Sequence, residues 1–108
     1  WMQAAMYKYF NYGVSGNSFK WSGIQPQHTE PDYTNFENAV RWTQKVGWEL
    51  RAHNLLWGGD DDHSMPGWVR SLPTPEAITD TCKMRVMRLP NTLKTHVGNC
   101  FVIDGKIF

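Results

Sequence analysis

The chain has 108 residues, of which 41% are hydrophobic and 19% charged, and its formal net charge is +1. This composition is typical of one globular domain and not of a disordered segment. Because there is no basic or acidic block, we expect neither a nucleic-acid-binding surface nor an electrostatic membrane anchor. No apolar run is long enough to span a bilayer, and no signal peptide is visible at the start. The abrupt first and last residues, Trp1 and Phe108, predict an excerpt of a longer protein.

Two features of the sequence are weak candidates for a disulfide or a metal site. Cys82 and Cys100 lack the spacing of a metal site. Two separate structural thiols are favoured over a disulfide, which would require an oxidising compartment. The loop Asp60–His63 carries three carboxylates and an imidazole, but consecutive carboxylates point in different directions and lack the spacing of a calcium loop. A solvated loop is favoured there, and neither a metal nor a cofactor is expected.

The sequence contains six tryptophans, and most of them fall in the first half of the chain. Carbohydrate clefts use indole rings because the C–H faces of sugars stack on aromatic surfaces. Core packing is the ordinary role of tryptophan, so we expect only roughly two of the six to face a ligand.

Three strands and two main helices are predicted. Alternation at 10–14 predicts a strand that ends in a Gly/Ser/Asn loop, and alternation at 50–57 predicts a second strand. A helix is predicted with Thr34 or Asn35 as its N-cap and Gly47 at its end, since its apolar residues recur at helical spacing and glycine is favoured just past a helix. A short helical turn is predicted at 65–72.

A second main helix is capped by Thr74 and broken by Pro90, because proline interrupts a helix. An irregular segment is expected from there to Gly98. The apolar run 100–104 predicts a buried strand. The resulting order, β-α-β-α-β, with long connections, predicts parallel strands of an α/β fold. Polar residues then meet at the carboxyl ends of the strands, where parallel α/β folds place their sites.

Several spaced motifs resemble one family, the endo-β-1,4-xylanases of glycoside hydrolase family 10. Residues 10–12 followed by 16–21 resemble its FN…ENxxKW segment, and 24–26 resemble its IEP. Residues 51–57 are similar to its RGHxLxW, and 65–69 to its xPxWV. The sequence Trp57-Gly58-Gly59-Asp60 is closer to the plant- and animal-like branch. The resemblance extends from about residue 9 to residue 72.

The resemblance implies a fold and a set of partners. The family fold is a (β/α)8 TIM barrel of about 250 residues, so residues 1–108 are expected to form a single partial barrel domain containing strands two to four. Such a chain needs the remainder of the barrel or other protein chains beside it. The implied ligand is a β-1,4-linked, xylan-like polysaccharide, and the implied location is extracellular.

The resemblance also implies a sugar-binding face. Asn17 and Lys20 match residues that hydrogen-bond sugars on the non-reducing side, and Trp21 is grouped with them because it follows directly. His53 matches an imidazole that contacts the sugar at the cleavage subsite, and Trp57 matches an indole that forms its floor.

The sequence departs from the family at the catalytic position. Retaining glycosidases use two carboxyl groups about 5 Å apart, and the family's acid/base Glu ends the fourth strand in the motif DVVNE. Here Lys106 or Gly105, depending on the register, takes the place of that Glu, while Gly16 replaces the Glu of ENxxKW. Lysine, with a pKa near ~10.4, holds its proton too tightly to serve as the acid. Asp104 is a candidate for a substitute acid, but an Asp-Gly turn is favoured there.

No catalytic residue is therefore assigned within the chain, and two functions stay open. One is a portion of an active xylanase. The other is a non-catalytic glycan-binding or structural module.

Overall fold

The computed structural model describes residues 2–57, 65–97 and 101–104. Within these ranges, a short 3₁₀ helix at Gly16–Ser18 accompanies five α-helices and three strands. The helices are α1 (Met2–Tyr9), α2 (Trp21–Ile24), α3 (Thr34–Val46), α4 (Gly67–Arg70) and α5 (Pro75–Val97). The strands are β1 (Tyr12–Val14), β2 (Glu49–His53) and β3 (Phe101–Asp104).

The three strands form one parallel sheet in the order β1-β2-β3. Tyr12 lies beside Glu49, and His53 lies beside Asp104. Helices α2 and α3 connect the first pair of strands, whereas α4 and α5 connect the second pair. The predicted β-α-β-α-β order and parallel sheet are therefore confirmed, and the carboxyl ends of the strands share one edge.

The hydrophobic core lies between the sheet and the helices α3 and α5. Phe19 and Phe36 are fully buried, with their ring centroids 4.6 Å apart. Leu50 and Ala52, on one face of β2, are buried, whereas Arg51 and His53 on the other face are half-buried. The whole buried hydrophobic cluster comprises Phe19, Ile24, Phe36, Val40, Leu50, Ala52, Leu89 and Leu93.

Helix α3 confirms its predicted apolar face and its predicted end. Phe36, Val40 and Thr43 are buried, and Gly47 adopts the left-handed conformation with φ 74°. The start differs from the expectation of a Thr34 or Asn35 cap. The Asp32 carboxylate accepts the backbone N–H of Thr34 at 2.9 Å, so the capping group lies just before the helix.

Both predicted strands at 10–14 and 50–57 are shorter in the structure. The N–H of Phe10 donates to the carbonyl of Met6 at 2.9 Å, which extends the last turn of α1 into the region predicted as strand. Strand β2 ends at His53, and the hydroxyl of Ser15, just after β1, binds the main chain of that residue.

The prediction that Pro90 breaks the second main helix was wrong. Helix α5 continues through Pro90 to Val97. Leu89 and Leu93 on either side of the proline are buried in the core. Burying two leucines contributes roughly 3–6 kcal/mol, which offsets the cost of about 3 kcal/mol for an interior proline.

Helix α1 is an element that the sequence did not predict. None of its residues is buried, so it lacks the apolar face that would have indicated a helix. It packs through Tyr7, whose ring lies 6.4 Å from that of Trp42 and 6.3 Å from that of Trp48.

Within the described ranges, no helix combines the length and apolarity that crossing a bilayer requires.

Candidate functional site

Lys20, His53 and Trp57 come together at the carboxyl ends of the strands. The Lys20 ammonium lies 4.8 Å from the centre of the Trp57 ring. The His53 ring meets the same indole edge-to-face, with centroids 5.7 Å apart. All three side chains are half-buried, so they are anchored and still reach the surface. We call these three residues the Lys20 cluster.

Lys20 is directed outward by its two neighbours in sequence. Phe19 is completely buried and Trp21 is only 2% exposed, so the backbone is held on both sides of the lysine. The carbonyl of Lys20 accepts the N–H groups of Gly23 and Ile24 at 2.9 and 3.1 Å, which closes the first turn of α2. Asn17 lies three residues earlier in the 3₁₀ helix with its side chain exposed.

The main chain of His53 is held by Ser15. The Ser15 hydroxyl accepts the His53 N–H at 3.0 Å and donates to the His53 carbonyl at 3.3 Å. One hydroxyl can make both bonds, because it carries a donor and two acceptor lone pairs. Ser15 therefore fixes the end of β2 against the segment that follows β1.

The ring of His53 is held by Asn54, which is 2% exposed. The Asn54 side-chain nitrogen lies 3.3 Å from the Nε2 atom of His53. The donor or acceptor role of Nε2 in this contact depends on the imidazole tautomer. The peptide bond between the two residues is cis.

Trp21 is not brought to the Lys20 cluster. Its indole N–H donates to the Gln25 side chain at 3.1 Å, and its ring meets Trp68 edge-to-face at 5.9 Å. The indole N–H of Trp68 donates to the Gln25 carbonyl at 3.0 Å, and His28 stacks on that ring at 4.4 Å. These contacts make Trp21 part of the packing, and its proposed role in sugar binding stays a prediction.

Arg85 on α5 is bonded to the segment that leads to Trp57. Its Nε donates to the Leu55 carbonyl at 2.7 Å, and the guanidinium lies 4.9 Å from the centre of the Trp21 ring. Burial lowers the pKa of Arg85 to about 10, so the group stays protonated at neutral pH. A cavity of about 630 Å³ opens beside it, lined among others by Tyr33, Trp68 and Leu89. Burial also raises the pKa of the Tyr33 hydroxyl.

Sequence reasoning missed Ser15, Asn54 and Arg85. Ser15 gave no signal, since it sits in a loop of small polar residues. Arg85 did give one: it shares the helical spacing of Cys82, Leu89 and Leu93 and so belongs to the inward face of α5. A charged residue at such a position needs partners, which the structure supplies through backbone carbonyls.

The other predicted sites lie partly outside the described residues. Lys106 and Gly105, at the expected acid/base position, are outside them, although Asp104 pairs with His53 in the sheet. The loop Asp60–His63 is also outside. In the part that is described, no group of three His, Cys, Asp or Glu residues could hold a metal. Cys82 has no disulfide partner among the described residues, and burial raises the pKa of its thiol; Cys100 lies outside them.

The parallel strands, their helical connections and the position of the cluster define a portion of a (β/α)8 barrel. The family model of glycosyl hydrolase family 10 matches residues 2–103. The chain belongs to this family.

Two curated relatives are xylanases. Endo-beta-1,4-xylanase Xyn10C of Cellvibrio japonicus is 31% identical over 81 residues, which is 73% of this chain and 13% of the relative. Endo-1,4-beta-xylanase B of Neocallimastix patriciarum is 30% identical over 99 residues, which is 90% of this chain and 10% of the relative. The chain thus spans about an eighth or less of these relatives.

Solved structures show the same fold. A mutant of xylanase 10C from Cellvibrio japonicus in complex with xylopentaose matches with a TM-score of 0.78 and 21% identity, covering 94% of this chain and 20% of that one. A mutant of an intracellular xylanase from Thermoanaerobacterium saccharolyticum in complex with xylotriose matches with a TM-score of 0.74 and 21% identity, covering 90% and 31%. The predicted partial TIM barrel is confirmed.

Proposed function

We propose that this chain binds β-1,4-linked, xylan-like polysaccharide through Lys20, His53 and Trp57, with Asn17 at the edge of the site. The observation that carries the proposal is the meeting of an ammonium, an imidazole and an indole at the carboxyl edge of the sheet. Two structural relatives hold xylo-oligosaccharides, which supports this class of ligand.

The cluster has the chemistry that sugar recognition needs. Ammonium and imidazole N–H groups donate to ring hydroxyls, and an indole offers an apolar surface to sugar C–H faces. The ammonium over the Trp57 ring also restrains both side chains, since a cation over an indole contributes about 0.5–1 kcal/mol at an exposed site. Pre-ordered side chains lose less entropy when the ligand binds.

Trp57→Ala tests the binding role in the full-length protein that carries this chain. Titration calorimetry with xylopentaose is expected to show affinity at least about tenfold weaker, which corresponds to about 1.4 kcal/mol. Trp42→Ala is the matched control, since Trp42 is 39% exposed and packs on Tyr7 and Trp48 instead. Equal affinities for wild type and Trp57→Ala would contradict the proposal.

We further propose that the chain does not supply the acid/base of a retaining glycosidase. Lys106 or Gly105 stands where the family has Glu, and a lysine would also repel the positive charge that develops on the sugar. The preferred role is binding without hydrolysis in a larger extracellular assembly. An extracellular location is proposed from the family resemblance, whereas one similar structure is that of an intracellular xylanase.

Release of reducing sugar from xylan separates binding from hydrolysis. The full-length protein is expected to release none, whereas Lys106→Glu is expected to restore activity if the later strands supply the nucleophile. Hydrolysis by the unmodified protein would overturn the non-catalytic role and leave the active xylanase as the function. Absence of both binding and hydrolysis would favour the purely structural alternative.

A further inference from the structure

The guanidinium of Arg85 contacts two segments that are distant in sequence. Its Nε donates to the Leu55 carbonyl at 2.7 Å, and one terminal nitrogen donates to the Phe19 carbonyl at 3.5 Å, a long bond. The central carbon of its guanidinium lies over the Trp21 ring, 4.9 Å from the ring centre. A single side chain on α5 therefore joins the segment after β2 to the segment before α2.

Arg85 contacts residues that lie close in sequence to Lys20 and Trp57, and not those two residues themselves. Phe19 and Trp21 are the immediate neighbours of Lys20, and Leu55 precedes Trp57 by two residues. The Lys20 ammonium and the Trp57 ring are themselves 4.8 Å apart. The spacing between the two segments sets that distance, and Arg85 is bound to the main chain of both.

Arginine has the shape that these contacts use. Its guanidinium is planar, presents donors in fixed directions and stacks on aromatic faces, whereas a lysine ammonium is a compact point charge. Among the described residues no carboxylate forms an ion pair with Arg85, and the partners of its charge there are backbone carbonyls and the indole face. Burying a charge without hydrogen-bond partners is costly. Any movement of the carbonyls away from the guanidinium is therefore unfavourable.

We propose that Arg85 is a positioning residue for sugar binding, which holds the Lys20 and Trp57 segments at the separation that keeps the ammonium over the indole. The inference rests on the proposed function, because its consequence is a change in sugar affinity. The position of Lys20 over Trp57 is, however, measurable without any sugar.

The test uses the full-length protein with Arg85→Met, which removes every donor and keeps an unbranched stem. Arg88→Met is the control, one turn further along α5, where the arginine is exposed. Protein labelled with ¹³C-lysine reports the ring current of Trp57 on the ε-methylene group of Lys20, and Trp57→Ala identifies that signal. Titration calorimetry with xylotriose then gives the affinity of each folded variant.

We expect Arg85→Met to abolish the ring-current shift of Lys20 and to weaken xylotriose binding about tenfold, with Arg88→Met like wild type in both. Arg85→Lys should recover little of the ring-current shift or of the xylotriose affinity, since lysine restores the charge without the planar guanidinium and its several donors. If Arg85→Met does not fold, the ring-current shift in Arg85→Lys decides whether Arg85 positions Lys20 over Trp57.

Three outcomes would overturn one proposal or the other. A folded Arg85 variant that keeps the ring-current shift refutes the positioning role. A lost shift with unchanged affinity refutes its importance for sugar binding. A lost shift in a protein whose wild type does not bind xylotriose supports the positioning of Lys20 and overturns the proposed function.

Discussion

The position of His53 is fixed by neighbouring residues outside the Lys20 cluster. Ser15 binds both the N–H and the carbonyl of His53, and Asn54 lies against its Nε2 atom. The imidazole is thus restrained through its backbone and its ring before any sugar arrives. Because a misplacement of about 1 Å in a site is costly, such supporting contacts matter as much as the donor groups themselves.

Ser15→Ala tests this support. The substitution removes both hydrogen bonds to His53, each contributing about 0.5–1.5 kcal/mol, so the free energy of unfolding should fall by about 1–3 kcal/mol. Xylotriose affinity should fall as well. Urea unfolding and calorimetry of the full-length protein give the two values. Ser71→Ala is the control, since that exposed hydroxyl donates to the Gly67 carbonyl on α4 at 2.8 Å; equal effects of the two substitutions would contradict the prediction.

At the scale of elements, helix α2 depends on a close approach to the 3₁₀ helix before it. A Cβ atom on Gly23 would collide with the backbone carbonyl oxygen of Asn17. Backbone cannot swing aside as a flexible side chain can, so only glycine fits there. The turn that presents Lys20 is therefore built on a glycine outside the Lys20 cluster.

Gly23→Ala is expected to displace the segment 17–23 and to lower the free energy of unfolding by about 1–3 kcal/mol. Sugar affinity should drop through Lys20. Thermal unfolding and calorimetry measure both effects in the full-length protein. Gly16→Ala is a useful comparison, because the left-handed φ of 58° there strains the backbone, while nothing lies within 4 Å of the added methyl. Unchanged xylotriose binding by Gly23→Ala would show that the turn tolerates a side chain.

Helix α3 carries a pH-dependent cap. Hydrogen bonds from the side chain and backbone of Thr34 lower the pKa of Asp32 below its usual 3.8. A carboxyl group with a depressed folded-state pKa stabilises the fold above its unfolded pKa, and the contribution is lost as the pH falls through the folded value. Only strongly acidic conditions should therefore weaken this end of the helix.

Asp32→Asn isolates that contribution, because its amide oxygen also accepts the Thr34 N–H but does not titrate. Hydrogen exchange at the Thr34 amide should accelerate in wild type as the pH falls below 3.8, after correction for intrinsic rates, and not in Asp32→Asn. The same pH dependence in both proteins would assign it to another group.

At the scale of the whole molecule, the sheet has two unpaired edges, β1 and β3, in the described chain. The segment around β1 exposes large apolar side chains: Tyr9 69%, Phe10 60%, Tyr12 43% and Val14 49%. An apolar, unpaired edge strand favours association with another strand. We propose that residues 1–108 act as one partial barrel domain whose edges are covered by further barrel strands or by another chain.

The isolated 108-residue chain is accordingly expected not to fold stably. It should lack a cooperative calorimetric transition, bind a hydrophobic dye and show little near-ultraviolet circular dichroism, whereas the full-length protein should melt cooperatively. Monomeric behaviour with a sharp melt would contradict this expectation and show that the three strands suffice.

Much of the fold was predictable from local patterns. The apolar spacing of α3 and the glycine after it are local features, and they predicted the helix end correctly. The same local reasoning failed at Pro90, because the core packing of Leu89 and Leu93 outweighs a lost backbone bond. It also missed α1, which has no buried face and is held by aromatic contacts to Trp42 and Trp48.

The sequence by itself determined the order of the three strands and the two main helices, the parallel sheet and the family, because these follow from periodicity and from motifs spaced along one chain. Only the tertiary structure decided that Trp21 packs inward while Lys20 meets Trp57, and that Arg85 bonds to carbonyls 30 and 66 residues away. Such partners are set by packing in space, since every side chain competes for the same volume and every buried polar group needs a bond.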